Sequence, residues 1–122
     1  MCLFRKLLRN EAAIQRKLNH LNIVGLLGFV FEENVKELSG SYGLVLEFMQ
    51  YGDLGNYIRK FQMRQQEKVR LICDVAQGMQ YLHSQTPPII HGDLKVENVL
   101  ISDDLRAKVC IKCSAKIINL CY

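Results

Sequence analysis

The rest of the chain is arranged around the stretch His91-Gly92-Asp93-Leu94-Lys95-Val96-Glu97-Asn98-Val99-Leu100, which sets charged and polar groups at fixed offsets among apolar residues. Ile89 and Ile90 lead into it and Ile101 continues it, so the pattern predicts a loop between two short buried strands. A loop with rigid flanks is typical of a catalytic site, because its side chains keep fixed positions. Asp and Asn between strands are also ordinary turn-forming residues, and these residues alone leave that alternative open.

The composition predicts one modest soluble domain. The chain has 122 residues, of which 49% are hydrophobic and 23% charged, and this length suffices for one core but not for two. The net charge of +4 comes from scattered basic residues, so we expect no nucleic-acid partner. No apolar run is long enough for a membrane span, and the basic start Met1–Lys6 is unlike a secretory signal. We therefore expect a cytoplasmic protein.

The cysteines predict free thiols. The chain has five of them, Cys2, Cys73, Cys110, Cys113 and Cys121. An odd number forms no complete disulfide framework, and a reducing compartment keeps such residues as thiols. Cys110 and Cys113 have the C-x-x-C spacing, but zinc needs four ligands and no second pair follows. The absence of a surrounding βαβ pattern disfavours a thioredoxin-like redox motif.

The first half of the chain predicts a helix followed by a hairpin. Apolar residues recur at helical spacing over Phe4–Leu18, and this helix is expected to end near Asn19. A polar turn and an apolar run, residues 23–31, come next. Gly28–Glu33 and Tyr42–Phe48 are rich in β-forming residues and are joined by a stretch with Gly and Ser, which predicts two strands of a hairpin.

Two helices and a second hairpin are predicted in the second half. Asp53 is a favoured N-cap for a helix over Leu54–Phe61. The longest helix is expected at Glu67–Ser84. Its apolar face recurs every three or four residues and consists of Val69, Ile72, Val75, Ala76, Met79 and Leu82. After the central loop, short strands at residues 99–101 and 107–110 flank a polar turn.

The central loop, read as H-G-D-L-K-V-E-N, resembles the protein-kinase catalytic loop H-R-D-L-x-x-x-N. The resemblance implies that Asp93 accepts the proton of the substrate hydroxyl and that Asn98 holds a metal ion. It also implies that Lys95 faces the transferred phosphate. Gly92 replaces an arginine that pairs with a phosphorylated activation loop, so we expect no dependence on loop phosphorylation through this position.

Upstream motifs resemble the same family in the same order. His20-Leu21-Asn22-Ile23-Val24 matches the H-x-N-I-V turn that follows the third helix of kinases. Glu11 then takes the position of the glutamate that pairs with the phosphate-binding lysine. Glu11 by itself also fits a solvated charge on a helix face. Tyr81-Leu82-His83 resembles the Y-L-H that ends the long helix before the catalytic loop.

Residues 47–54, read as E-F-M-Q-Y-G-D-L, resemble the kinase hinge E-[FY]-[MV]-x-x-G-[DES]-L. The resemblance implies that backbone groups of Glu47 and Met49 bind the adenine edge. It also implies that Leu46 is the gatekeeper and that Asp53 faces the ribose. The N-cap role of Asp53 is compatible with a contact to the ribose.

These resemblances run over about residues 8–110 and imply a partial protein-kinase-like α+β fold. It comprises the end of the small lobe, with helix C, two strands and the hinge, and the start of the helical large lobe. Residues 1–110 would form a partial kinase domain of the tyrosine-kinase-like group, similar to receptor-interacting kinases. Residues 111–122 would form a divergent tail, because Ile111-Lys112-Cys113 stands where the metal-binding D-F-G belongs. The long helix would then expose an apolar patch.

The implied activity is transfer of the γ-phosphate of ATP to Ser, Thr or Tyr of a protein substrate, with ATP and Mg²⁺ as cofactors. Only ten residues precede Glu11, so the glycine-rich loop and the V-A-I-K lysine are missing from this sequence. We therefore expect weak binding of ATP and Mg²⁺ and no activity from this chain by itself. The alternative is a non-catalytic, pseudokinase-like module that binds other kinase domains.

Overall fold

Short strands and helices alternate in the part of the chain that the structure describes. The structure is a computed structural model, and it describes residues 12–34, 39–111 and 116–117. The main elements, in chain order, are β1 (Leu26–Asn34), β2 (Ser39–Leu46), α1 (Leu54–Lys60), α2 (Gln65–His83), β3 (Ile89–Ile90), a 3-10 helix (Val96–Asn98), β4 (Val99–Ile101), β5 (Ala107–Val109) and β6 (Lys116–Ile117). This order confirms the expected α+β class. Within these ranges no helix combines the length and the apolar character needed to cross a membrane.

The first described residues belong to the end of the predicted N-terminal helix. Residues 12–15 are helical, and Ile14 and Leu18 are buried, as an amphipathic helix requires. The N–H of Leu18 donates to the carbonyl of Gln15, three residues back, so the last turn tightens and the helix ends there. The start of the predicted helix, including Glu11, lies outside the described residues.

The predicted hairpin is confirmed, with different ends. β1 and β2 pair antiparallel, with one irregularity in register near the start of β1. β2 begins at Ser39 rather than Tyr42, because Gly and Ser continue an extended ladder when their backbone groups are paired. It ends at Leu46, because the N–H of Glu47 instead donates to the carbonyl of Gly25 at 2.9 Å.

α2 confirms the predicted long helix, although its buried face differs. Its start is stabilised by the Glu67 carboxylate, which accepts a hydrogen bond from the N–H of Arg64 at 2.7 Å. The buried positions are Leu71, Asp74, Gly78 and Leu82. Val69 and Ile72, which were predicted on the apolar face, are 50% and 68% exposed. Their exposure agrees with the predicted apolar patch. The buried positions Asp74 and Gly78 were not predicted, because the hydrophobic pattern gives no weight to a buried glycine or a paired aspartate.

Two buried apolar clusters hold α2 in place. The first consists of Ile14, Leu18, Ile23, Leu82, Ile89, Val109 and Ile111. The second consists of Leu71, Val99, Ile101 and Ala107. Val75 of α2 packs against both clusters, and β5 contributes a residue to each. The pairing of β4 with β5 is therefore fixed against α2 by apolar burial.

An ion pair with a buried carboxylate adds a polar link between α2 and β5. Asp74 is 1% exposed and accepts hydrogen bonds from Arg106 Nε at 2.9 Å and Nη2 at 2.5 Å. It also accepts the N–H of Ala107 at 3.0 Å. Hydrogen bonding to this carboxylate holds the pKa of Arg106 above its usual value. The carboxylate thus fixes both a side chain and the backbone at the start of β5.

Gly78 marks the closest approach of α2 to the turn before β1. A β-carbon there would lie 2.6 Å from the carbonyl oxygen of Asn22, which is held because it accepts the N–H of Val109 at 2.8 Å. Gly78→Ala should lower the free energy of unfolding by about 1–2 kcal/mol, because the overpacking costs more than the gain in helix propensity. Urea unfolding followed by circular dichroism measures this, with the exposed Gln77→Ala as control. A stabilised Gly78→Ala variant would contradict the close approach.

An apolar groove lies between α1, α2 and the loop that precedes β4. It has a volume of about 510 Å³, and its lining includes Ile58, Met63, Ile72, Leu94 and Val96. The exposed fractions of Ile58, Leu94 and Ile72 are 48%, 46% and 68%. The long helix therefore exposes apolar surface, as the sequence analysis predicts.

Candidate functional site

The central loop lies between two short strands, as predicted. β3 ends at Ile90, β4 starts at Val99, and the 3-10 helix lies directly before β4. β4 pairs with β5 whereas β3 pairs with β6, so the two flanks of the loop have different partners. The carbonyl of Asn98 accepts the N–H of Cys110 at 2.8 Å. This bond ties the end of the loop to the residue that follows β5.

Asp93, Lys95 and Asn98 are brought together in this loop. Lys95 Nζ lies 3.1 Å from Asp93 Oδ2. Asn98 Nδ2 donates to the same Oδ2 at 3.1 Å and to the Asp93 carbonyl at 2.7 Å. Asn98 is fully buried, whereas the side chains of Asp93 and Lys95 are 42% and 51% exposed. A buried amide therefore holds a carboxylate that a substrate can reach from solvent.

These neighbours keep the Asp93 carboxylate ionised. The hydrogen bond from Lys95, the positive charge of that lysine and the amide of Asn98 hold the pKa of Asp93 below its usual value. At neutral pH both carboxylate oxygens are therefore hydrogen-bond acceptors. A group of this kind can accept a hydrogen bond from a substrate hydroxyl.

His91 orients the start of the loop. It is 1% exposed, and its Nδ1 accepts the N–H of Asp93 at 3.2 Å. Nε2 therefore carries the proton and donates to the carbonyl of Cys110 at 2.9 Å. The sequence pattern contains His91 but predicts no role for it. The available signal was a histidine placed directly after an apolar strand.

The backbone conformation at Gly92 explains why a glycine is favoured at this departure from the kinase pattern. Its φ is 78°, in the left-handed region where a residue with a β-carbon costs about 1–2 kcal/mol. Gly92→Arg, which restores the usual residue, should therefore lower the free energy of unfolding by about 1 kcal/mol. Gly92→Asn should cost less, because Asn tolerates this region better. Urea unfolding compares the variants, and equal stability of Gly92→Arg and the unchanged chain would refute the argument.

Asn98 also carries an unused acceptor. Its Oδ1 atom is buried and has no hydrogen-bond partner among the described residues. Burying such an acceptor without a partner costs about 1–3 kcal/mol. The metal-binding aspartate expected further along is replaced by Ile111, which is buried in the first apolar cluster. Across the described ranges, no group of three or more His, Cys, Asp or Glu side chains is placed to hold a metal ion.

The segment between β2 and α1, residues 47–53, is hydrogen-bonded to β4, the strand that follows the central loop. The N–H of Tyr51 donates to the carbonyl of Ile101 at 3.1 Å, and the N–H of Ile101 donates to the carbonyl of Gly52 at 2.8 Å. The end of the segment therefore lies along β4. Because β4 directly follows the central loop, the segment and the loop are held by the same strand.

Leu46, Glu47 and Met49 present different groups at the start of this segment. Leu46 is the last residue of β2 and is partly buried. The Glu47 carboxylate is bonded to Lys108 and Gly25. Met49 is 7% exposed, and its N–H donates to no acceptor in the described part of the chain. A peptide N–H of this segment is thus without a partner among the described residues.

Asp53 caps α1, which confirms its predicted structural role. Its Oδ1 accepts the N–H of Asn56 at 2.9 Å and its Oδ2 accepts the side-chain amide of Asn56 at 2.5 Å. The first of these bonds is the main cause of the lowered pKa of Asp53. The predicted contact of Asp53 with a ribose stays a prediction.

The fold and the site together define a class of protein. A family model described as protein tyrosine and serine/threonine kinase matches residues 4–117. The match covers both the loop that holds Asp93 and the segment at residues 47–53. The chain belongs to the family of protein tyrosine and serine/threonine kinases, which confirms the resemblance seen in the sequence.

Similar proteins include three kinases from distant organisms. They are the probable serine/threonine-protein kinase roco11 of Dictyostelium discoideum, receptor-interacting serine/threonine-protein kinase 1 of Homo sapiens and serine/threonine-protein kinase CTR1 of Arabidopsis thaliana, at 40%, 36% and 36% identity. The matches cover 84%, 84% and 82% of this chain but only 6%, 14% and 12% of those proteins. The predicted similarity to receptor-interacting kinases is confirmed. The non-catalytic alternative is not favoured, because these relatives are named as kinases.

Proposed function

We propose that residues 46–53 form the hinge and residues 91–98 the catalytic loop of a protein kinase domain. Such a domain transfers the γ-phosphate of ATP to a serine or threonine, or to a tyrosine, of a protein substrate. The observation that carries the proposal is the arrangement of Asp93, Lys95 and Asn98. One carboxylate oxygen is shared by a lysine and a buried amide. Membership of a kinase family and the names of the relatives support the same reaction.

Asp93 acts on the substrate hydroxyl in this proposal. The carboxylate accepts the hydroxyl hydrogen bond and takes the proton as the phosphoryl group is transferred. Because its pKa is lowered, the carboxylate is a weak base, and its main contribution is to orient the hydroxyl for attack. Lys95 supplies positive charge beside the transferred phosphate, since its Nζ lies 3.1 Å from the same carboxylate.

The nucleotide is proposed to bind along residues 46–53. The Met49 N–H, which has no acceptor among the described residues, supports a contact with the adenine edge, and the carbonyl of Glu47 is the proposed acceptor beside it. Leu46 would border the adenine as gatekeeper, and Asp53 would face the ribose. Glu11 is proposed to pair with a phosphate-binding lysine supplied by a longer chain.

Magnesium fits this chain only in part. Mg²⁺ neutralises phosphate charge when it accompanies ATP in kinases. The buried Oδ1 of Asn98 would hold the Mg²⁺ ion, but this is a single neutral oxygen. The side chain of Ile111 has no atom that can serve as a metal ligand. The ion prefers carboxylates together with phosphates and water. Phosphate oxygens and water would therefore supply most of its ligands.

Several finer statements stay predictions. A protein substrate is the partner expected from the family, and contacts with other kinase domains, the lack of a nucleic-acid partner and a cytoplasmic location rest on the sequence analysis. The division into a kinase part, residues 1–110, and a divergent tail, residues 111–122, also stays a prediction.

The proposal is tested in a chimaera that joins residues 12–110 to the flanking kinase regions of the roco11 relative. Asp93→Asn should lower kcat about 100-fold to 1,000-fold and leave the KM for ATP nearly unchanged, because the carboxylate acts on the hydroxyl rather than on the nucleotide. Asp103→Asn is the matched control, since Asp103 is exposed in the turn between β4 and β5. A folded but inactive chimaera, or equal activity of Asp93→Asn, would contradict the proposal.

A further inference from the structure

Lys108 makes a contact that the proposed mechanism does not use. It is the middle residue of β5, and its Nζ lies 2.9 Å from both carboxylate oxygens of Glu47. The side chains of Lys108 and Glu47 are 19% and 29% exposed. The pair is thus partly shielded from water, and its two bonds fix the carboxylate better than a single surface contact would.

Glu47 is held from a second side by Gly25. Its Oε1 accepts the N–H of Gly25 at 2.8 Å, and its own N–H donates to the carbonyl of Gly25 at 2.9 Å. The residue therefore joins β5, the turn before β1 and the first peptide of the segment 47–53. Arg106, which lines the same small cavity as Glu47 and Lys108, is bonded to Asp74 instead.

We propose that Lys108 is a positioning residue, which fixes the peptide groups of residues 47–49 through the carboxylate of Glu47. The consequence for adenine rests on the proposed function. Among the described residues, Glu47 without the ammonium group keeps its two bonds to Gly25, one at the carboxylate and one at the N–H, and its carbonyl is less restrained against rotation. Because Met49 is only two residues further on, such a rotation moves the N–H that is proposed to meet the adenine ring.

Amide hydrogen exchange of the 122-residue chain, without any nucleotide, tests whether Lys108 restrains Glu47. Lys108→Met, which removes the charge and keeps most of the side chain, should raise the exchange rate of the Glu47 N–H about tenfold. Lys108→Arg should restore protection, because the guanidinium can still bond both oxygens. The N–H of Val109, which donates to Asn22, should exchange as before. An unchanged rate at Glu47 in Lys108→Met overturns the inference.

Nucleotide selectivity separates positioning from a general loss of stability. Inosine reverses the donor and acceptor at the two ring positions that the peptide groups would read, so the ratio of ADP to inosine diphosphate affinity reports on their placement. Titrations followed by NMR should show this ratio falling several-fold in Lys108→Met and returning in Lys108→Arg. Lys68→Met, an exposed lysine, and Ile101→Val, a buried destabilising change, are the controls and should keep the ratio.

The two measurements distinguish the inference from the function on which it rests. If the unchanged chain has no preference for ADP, the proposed adenine site fails, while the exchange result still decides whether Lys108 holds Glu47. If the unchanged chain prefers ADP and Lys108→Met keeps that preference, Lys108 has no positioning role for the nucleotide and the inference is overturned. A fall in the ratio with Ile101→Val as well would reduce the role to stability, which also overturns it.

Discussion

Arg106→Met is expected to lower the free energy of unfolding by about 3 kcal/mol. Removing one partner of a buried ion pair typically costs about 3–5 kcal/mol, because the other charge is left buried. Asp74 is 1% exposed, and of its donors in the described part of the chain it would keep the N–H of Ala107. The effect should lie at the lower end of the range, because the Arg106 side chain is 42% exposed and water can enter where it lay.

Urea unfolding at low micromolar concentration, followed by circular dichroism, measures this loss. The double variant Asp74→Asn with Arg106→Met should recover part of the stability, because it buries an amide rather than a lone carboxylate. Arg70→Met is the control, since that arginine is exposed and, among the described residues, bonds a turn carbonyl at 3.2 Å. A cost below about 1 kcal/mol for Arg106→Met would mean that the Asp74 carboxylate is solvated in the folded chain.

The sequence predicted elements whose signals are local. The hairpin strands, the cap at Asp53 and the helix after Arg64 depend on neighbours within a few residues, and each is present in the structure. The ion pair of Asp74 and Arg106 joins residues that are 32 positions apart. Local periodicity cannot show such a pair. The position of Asp74 on the same helix face as the apolar residues Leu71 and Leu82 was nevertheless a signal that its carboxylate is buried.

The candidate site likewise combines contacts between neighbours in sequence, which could be predicted, with contacts between distant residues, which could not. Asp93, Lys95 and Asn98 lie within six residues of one another, so their meeting in one loop could be predicted from spacing. The bond from His91 to Cys110 and the bond from Lys108 to Glu47 depend on how β5 packs, and a sequence pattern carries no distance across 19 or 61 residues. The role of Gly92 could not be predicted from the sequence, because a glycine in a pattern does not reveal which backbone region it adopts.

A polypeptide limited to these 122 residues is expected to show no measurable kinase activity, although Asp93, Lys95 and Asn98 are assembled. Kinases depend on several charge contacts to the phosphates at once. Ile111 stands in place of the metal-binding aspartate, and the ten residues before Glu11 hold no glycine-rich loop. Losing one such contact typically lowers the rate about 100-fold to 1,000-fold. Losing two that act together, with the phosphates no longer held for attack, should bring the rate below detection.

The assay compares the purified chain, its Asp93→Asn variant and the chimaera with the flanking kinase regions of the roco11 relative. It uses radiolabelled ATP, magnesium and a generic protein substrate. Only the chimaera should incorporate phosphate above the level without enzyme. The chain and its Asp93→Asn variant should give the same background, because an oriented carboxylate gains nothing when neither phosphate nor hydroxyl is held beside it. Incorporation by the unchanged chain that disappears in Asp93→Asn would show that the loop suffices without its partners, and the interdependence argued here would then be wrong.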